Sequence, residues 1–111
     1  MGLTEEQARE AGHDVQVGVF PLQANGKAVA LGDTDGFVKV VAESGNKALL
    51  GVHVVGPHAS DLILEGTLGI SMEGTLDEIE GTIHPHPALG EAVAEAALVA
   101  MGRPLAIPHK R

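Results

Sequence analysis

The first half of the chain alternates apolar and polar side chains with a period of two. Val15, Val17 and Val19 alternate with polar or small residues between Asp14 and Phe20. Because successive side chains of a strand point to opposite faces, this spacing places three β-branched residues on one face. The pattern predicts a strand over residues 14–20, and Pro21, which has no backbone N–H, is expected to end it.

Two longer apolar runs follow this strand. They cover Phe37–Ala42 and Ala48–Val55, and the sequence between them, residues 43–47, contains residue types that tolerate a positive φ. This is the pattern of a β-hairpin. Residues 23–36 are rich in turn-forming residues and admit only a short element over Lys27–Leu31. We therefore expect an antiparallel sheet of three to five strands.

Beyond residue 57 the apolar spacing changes to three to four residues. Ser60–Asp61 can cap a helix, although Gly66 and Gly69 weaken its interior and favour close packing against a neighbour. A capping box at Thr75 opens a short helix, and the alanine-rich run Leu89–Met101 has the strongest helix propensity in the chain. The second half is therefore predicted to be helical.

The order of the elements indicates the fold class. A further capping box at Thr4 opens a short N-terminal helix that Gly12 ends, and strands then precede the remaining helices. This order predicts an α+β fold in which helices pack on one face of the antiparallel sheet. The length of 111 residues is that of a single domain, so we expect one domain over residues 1–111.

Composition excludes several classes of function. The net charge of −8, with only seven Lys and Arg residues, disfavours nucleic acid and anionic membrane surfaces as partners. The absence of cysteine means that any thiol or disulfide chemistry must be supplied by another chain or domain. No leader sequence and no apolar run of membrane-spanning length are apparent, so the expected location is the cytoplasm.

Candidate chemistry is concentrated between Thr82 and Glu91. This stretch holds His84, His86 and Glu91 and is stiffened by two prolines. In one interpretation His86 is a general acid and base, because an imidazole titrates near neutral pH and a carboxylate bonded to one ring nitrogen raises the basicity of the other. The carboxylate of Glu91 would then hold the ring of His86.

A second interpretation is a metal site formed by His84, His86 and Glu91. A His-x-His pair on an extended segment points both rings to one face, and a carboxylate completes a facial triad. That spacing resembles the first metal motif of cupins, but its flanking glycines and a second matching motif are absent, and Glu91 begins a helix. A third interpretation is a polar loop in which Glu91 is favoured by the helix dipole. The residues by themselves leave all three open.

A resemblance to a known family bears on this choice. The stretch His84–Ala97 resembles the His-x-His-Pro-Thr-x-Ser-Glu-Ala-Val-x-Glu-Ala-Ala signature of dihydrolipoamide dehydrogenases, which are flavin-dependent pyridine nucleotide-disulfide oxidoreductases. Residues 2–8, 51–56 and 82–83 are similar as well, in the order and spacing of the family. The resemblance extends over essentially the whole chain and is to the C-terminal dimerisation domain.

The resemblance implies a role for specific residues. His86 would take a proton from a thiol of dihydrolipoamide at the redox disulfide of the other subunit, and Glu91 would orient its ring. The bond between His86 and Pro87 would be cis, and both residues would contact the FAD of the partner subunit. Ala88 and Gly90 replace the Thr and Ser of the signature, which removes two hydroxyl groups beside the pair.

The resemblance also implies an assembly. The parent enzyme would be a homodimer that uses FAD and NAD and serves the lipoyl domain of an oxo-acid dehydrogenase complex. This chain has neither the glycine-rich dinucleotide motif nor a cysteine pair, so we expect no bound cofactor and no redox activity from it alone. Other possibilities are a metal-binding module and a stand-alone protein-interaction module. Of the remaining histidines, His53 and His58 are expected to be structural, and His13 and His109 to lie at the surface.

Overall fold

The computed structural model describes residues 1–108. His109, which we expected at the surface, and the end of the C-terminal tail lie outside this range. Within residues 1–108, a three-stranded sheet is combined with five α-helices and one 3₁₀ turn. The elements in chain order are α1 (Glu5–Glu10), β1 (Val15–Pro21), the 3₁₀ turn (Leu22–Ala24), α2 (Gly26–Leu31), β2 (Phe37–Glu43), β3 (Leu49–Val55), α3 (Ala59–Ser71), α4 (Leu76–Gly81) and α5 (Glu91–Ala100).

The three strands form an antiparallel sheet in the order β1, β2, β3. The pairing of β1 with β2 runs from Val15 opposite Glu43 to Pro21 opposite Phe37. The hairpin of β2 and β3 pairs Phe37 with Val55 and shifts its register between Val41 and Ala42. The α+β class and the antiparallel sheet predicted from the alternating pattern are confirmed.

One face of the sheet carries the main core. Val38 and Val40 of β2, Val52 of β3 and Phe20 of β1 are buried there, packed against α3 and α5. Glycine allows the helices to come close to the sheet. A Cβ on Gly18 would collide with the backbone of α5, and one on Gly66 would lie 2.6 Å from Val52 Cβ. The close packing expected of Gly66 is therefore present.

The N-terminal segment covers part of the opposite face. The backbone N–H of Leu3 donates to Leu50 O over 2.8 Å, and Glu5 of α1 forms a 3.0 Å ion pair with Lys39. The predicted capping box is present, since Thr4 accepts from Gln7 N and the Gln7 side chain accepts from Thr4 N. The long helices α3 and α5 thus lie on one face, and α1 on the other.

Two predicted helix starts differ from the structure. Helix α3 begins at Ala59 after an N-cap at His58 that makes no side-chain capping bond, so Ser60–Asp61 lie inside its first turn. The turn after Gly56 starts the helix through the backbone, because Ala59 N donates to Gly56 O. Helix α5 begins at Glu91 rather than Leu89. None of the helices within residues 1–108 is long and apolar enough to cross a membrane.

Candidate active site

The candidate residues lie between α4 and α5. Residues 82–90, here called the His86 segment, contain no helix or strand. The side chain of His86 is 80% exposed. The bond from His86 to Pro87 is cis, as the resemblance implied. Glu91 is the first residue of α5, so the start of the helix determines where its carboxylate lies.

The ring of His86 contacts the carboxylate of Glu91 directly. Nδ1 of the ring lies 2.9 Å from Oε1 and 3.0 Å from Oε2. Because a carboxylate only accepts, Nδ1 carries the proton and donates it. Nε2 of the neutral ring is then unprotonated and has a free lone pair, in a side chain that faces solvent. This geometry suits an acid and base that acts on a group outside the chain.

The carboxylate of Glu91 is itself held in place. Its Oε1 accepts the backbone N–H of Ala88 over 2.9 Å. Partial burial raises the pKa of Glu91, but the hydrogen bonds from His86 and from the Ala88 N–H lower it by more, so the pKa ends below its ordinary value. Glu91 therefore remains a carboxylate at neutral pH, as the bond from Nδ1 requires.

His84 has a different partner. Its Nε2 lies 2.6 Å from Glu65 Oε2 of α3, and only 11% of the His84 side chain is exposed. This contact ties the His86 segment to α3. Within residues 1–108, no three His, Cys, Asp or Glu side chains are grouped so as to hold a metal ion. The geometry gives no support to a metal site of His84, His86 and Glu91.

The sequence did not indicate the part played by Asn25. The sequence predicts only a turn-rich stretch over residues 23–36 with a short element in it, but Asn25 is the N-cap of α2 and just 4% exposed. Its Nδ2 also donates to Ala88 O over 3.0 Å, 63 residues away along the chain. The capping preference of asparagine could have shown the helix start, whereas no local pattern could have shown the bond to Ala88.

Ala88 and Gly90, which replace the Thr and Ser of the family signature, both lie beside the pair. Gly90 is the N-cap of α5 and makes no side-chain capping bond. Ala88 contributes through its backbone, with its N–H on Glu91 and its C=O on Asn25. Neither change separates His86 from Glu91.

Three other histidines make contacts typical of structural residues. Each has one ring nitrogen within hydrogen-bonding distance of an oxygen of a residue distant in sequence. The pairs are His53 with Leu3 O at 2.8 Å, His58 with Asp33 at 3.0 Å, and His13 with Glu43 at 3.2 Å. They lie on elements other than the His86 segment and do not join the candidate site.

Comparison with known proteins identifies the class. The family model described as pyridine nucleotide-disulphide oxidoreductase, dimerisation domain, matches residues 1–97. The chain belongs to this family of dimerisation domains. In solved structures the same fold occurs in LpdA from Mycobacterium tuberculosis, at a TM-score of 0.81 and 27% identity over 87% of this chain and 21% of that one. An HOCl-induced flavoprotein disulfide reductase from Escherichia coli also gives a TM-score of 0.81 at 27% identity, over 86% of this chain and 22% of that one.

Relatives at higher identity are dihydrolipoyl dehydrogenases. The enzyme of Bacillus subtilis is 50% identical over 103 residues, which is 93% of this chain and 22% of that protein. The enzyme of Thermus scotoductus is 52% identical over 97 residues, covering 87% of this chain and 21% of that protein. The resemblance noted in the sequence is confirmed. The chain spans little more than a fifth of the length of these relatives.

Proposed function

We propose that this chain is the dimerisation domain of a dihydrolipoamide dehydrogenase, and that His86 and Glu91 act as its acid–base pair at the redox centre of the partner subunit. The observation that carries the proposal is the exposed ring of His86, with Nδ1 bonded to the carboxylate and Nε2 left free. A catalytic base needs a lone pair that a substrate can reach and a carboxylate that orients the ring. Both are present here.

The chemistry begins with proton transfer. Nε2 of His86 removes the proton of a dihydrolipoamide thiol, and the carboxylate of Glu91 stabilises the imidazolium that forms. The resulting thiolate attacks a disulfide of the partner subunit, forming one S–S bond and breaking another, and the proton on Nε2 is then available to a sulfur that leaves. Since this chain has no cysteine, the disulfide must come from another part of the enzyme.

In this proposal FAD and NAD belong to the parent enzyme, where they would supply the oxidising capacity for the dithiol. His86 and Pro87 are both exposed. They fit a surface that touches the FAD of the partner subunit, but they cannot enclose a cofactor, so this chain alone should bind neither FAD nor NAD. The parent would act in the cytoplasm on the lipoyl domain of an oxo-acid dehydrogenase complex.

A contact surface for the second subunit lies on α3. Leu64 and Leu68 of α3 and its C-cap residue Met72 follow one another at intervals of four and are 67%, 56% and 72% exposed. Leu62 and Gly66 of the same helix are buried against the core. An apolar stripe on the outer side of a helix is typical of an interface. Because the chain is a dimerisation domain, the partner at this interface is a second copy of the chain. Light scattering of Leu64→Glu and Leu68→Glu variants should show a lower dimer fraction than the parent chain.

A chimera tests the acid–base role. The corresponding domain of the Bacillus subtilis enzyme, which is 50% identical, is replaced by this chain, and NAD-linked oxidation of dihydrolipoamide is measured. His86→Gln should lower kcat by about 100-fold or more, the usual effect of removing a general base. The control is His13→Gln, on another part of the chain, which should leave kcat unchanged. A His86→Gln chimera as active as its parent would contradict the proposal.

A further inference from the structure

Within residues 1–108, Asn25 is the only buried polar or charged residue, and it is 4% exposed. A buried amide is costly unless both its donor and its acceptor are bonded. Here both are used: Oδ1 accepts from Ala28 N over 2.9 Å, and Nδ2 donates to Ala88 O over 3.0 Å. The first bond caps α2, and the second reaches the His86 segment.

Capping of α2 alone does not explain why this residue is asparagine. Serine, threonine and aspartate supply the same acceptor oxygen at an N-cap. Of the residues that cap well, only asparagine also offers an N–H₂ donor on the same short side chain. The bond to Ala88 O is what uses that donor. The need for asparagine at position 25 therefore comes from the His86 segment as well as from helix α2.

Three successive hydrogen bonds connect Asn25 to the ring of His86. Asn25 Nδ2 holds the carbonyl of Ala88, the N–H of Ala88 holds Glu91 Oε1, and the carboxylate of Glu91 holds His86 Nδ1. The His86 segment contains no helix or strand that would hold these groups by itself. Glu91 begins α5, which directly follows the segment, whereas Asn25 joins this series of hydrogen bonds from the start of α2, far away in sequence.

We infer that Asn25 is a positioning residue for the acid–base pair: its amide fixes the Ala88 backbone so that Glu91 holds His86 in the tautomer with a free Nε2. The importance of this role for catalysis rests on the function proposed above, whereas the role itself is a property of this chain. Asn25 acts through Ala88 and Glu91, and it need not touch a substrate.

The ring tautomer of His86 and the titration of Glu91 report this role directly. In the 111-residue chain, long-range ¹⁵N spectra at about pH 9, where an ordinary imidazole is neutral, should show the Nδ1–H form. Asn25→Asp keeps the size and the capping oxygen but removes the donor. It should lower the ratio of the Nδ1–H to the Nε2–H form about fivefold, the factor corresponding to one net hydrogen bond, and move the Glu91 carboxyl titration to higher pH.

Two further variants make the experiment decisive. Asn25→Ser introduces no charge and keeps a good cap, so it gives the answer if the aspartate variant does not fold, and it should show the same shift. Thr4→Ala removes a cap from α1, on the opposite face of the sheet, and should lower stability without changing the ring. A ring that stays in the Nδ1–H form in the folded Asn25 variants, with Glu91 titrating as in the parent, would overturn the inference. Because no step depends on enzyme activity, failure of the acid–base role would appear only in the His86→Gln chimera.

Discussion

Helix α5 and the His86 segment that precedes it are held in place by different kinds of interaction. Helix α5 lies on β1 and β2 through buried Ala92, Val93, Ala96 and Ala97, and Gly18 lets its backbone come close. The His86 segment is held by a few single hydrogen bonds, from Asn25, Glu65 and Glu91. Close packing distributes stabilisation over many atomic contacts, whereas the stabilisation from each hydrogen bond depends on one donor and one acceptor. Substitutions in the two regions should therefore differ in whether they affect folding or geometry.

The largest effect is expected where packing leaves no room. Gly18→Val places side-chain atoms into the backbone of Ala96 and Ala100, which cannot move aside as a flexible side chain could. The variant should lose about 3 kcal/mol or more of unfolding free energy, at the upper end of the cost of overpacking. Chemical denaturation measures this loss. Gly26→Ala is the matched control, since nothing lies within 4 Å of an added Cβ there, and equal losses in both would mean that packing is not the cause.

A smaller effect is expected at the tie between the His86 segment and α3. Glu65→Gln removes the charge that His84 contacts at 2.6 Å, and should cost about 1 kcal/mol of unfolding free energy. Hydrogen exchange should quicken in the His86 segment and remain unchanged in the strands. Exposed Glu80 offers a control, because Glu80→Gln should alter neither quantity. Unchanged exchange in the Glu65 variant would show that the segment is held by its other bonds.

The contribution of Glu91 should depend on pH. Its pKa in the folded chain lies below the ordinary value of 4.5, so the folded state favours the carboxylate. That stability is fully present above the unfolded pKa and is lost as pH falls through the folded pKa. Glu91→Gln should thus be less stable than the parent at pH 7, by about 1 kcal/mol or less, and the difference should close in acid. Denaturation at several pH values tests this, and a pH-independent difference would contradict it.

The smallest effect is expected at the surface pairs of α1. Hydrogen bonds from Lys39 and Arg9 lower the pKa of Glu5, but both pairs are accessible to solvent, which screens them. Glu5→Gln should change the unfolding free energy by no more than about 0.5 kcal/mol at neutral pH, and less in high salt. A loss of unfolding free energy as large as that of Glu65→Gln would mean that these ion pairs stabilise the fold more than their exposure to solvent indicates.

Features set by neighbouring residues could be predicted from the sequence. The alternating valines, the hairpin and the capping boxes at Thr4 and Thr75 involve positions within a few residues of one another, and all are present. The start of α3 was misplaced because the backbone after Gly56 begins the helix without a side-chain cap. Side-chain patterns do not report a helix that starts in this way.

In the candidate site, too, only the contacts between residues close in sequence could be predicted. His86 and Glu91 are five residues apart, and both the spacing and the family signature indicated their contact. The partners that hold the segment are more distant: Glu65 is 19 residues from His84, and Asn25 is 63 residues from Ala88. Such contacts depend on how the sheet places α2 and α3 beside the segment. A single sequence contains no periodicity that reports them.

The free lone pair on His86 has a consequence for the life of the protein before assembly. Without a partner, this domain presents the nitrogen to water, in a side chain that is 80% exposed, and the domain contains no cysteine on which the nitrogen could act. Under the proposed function, this nitrogen would reach a redox disulfide only when a second subunit is present. Dimer formation would then also determine when the acid–base pair becomes active.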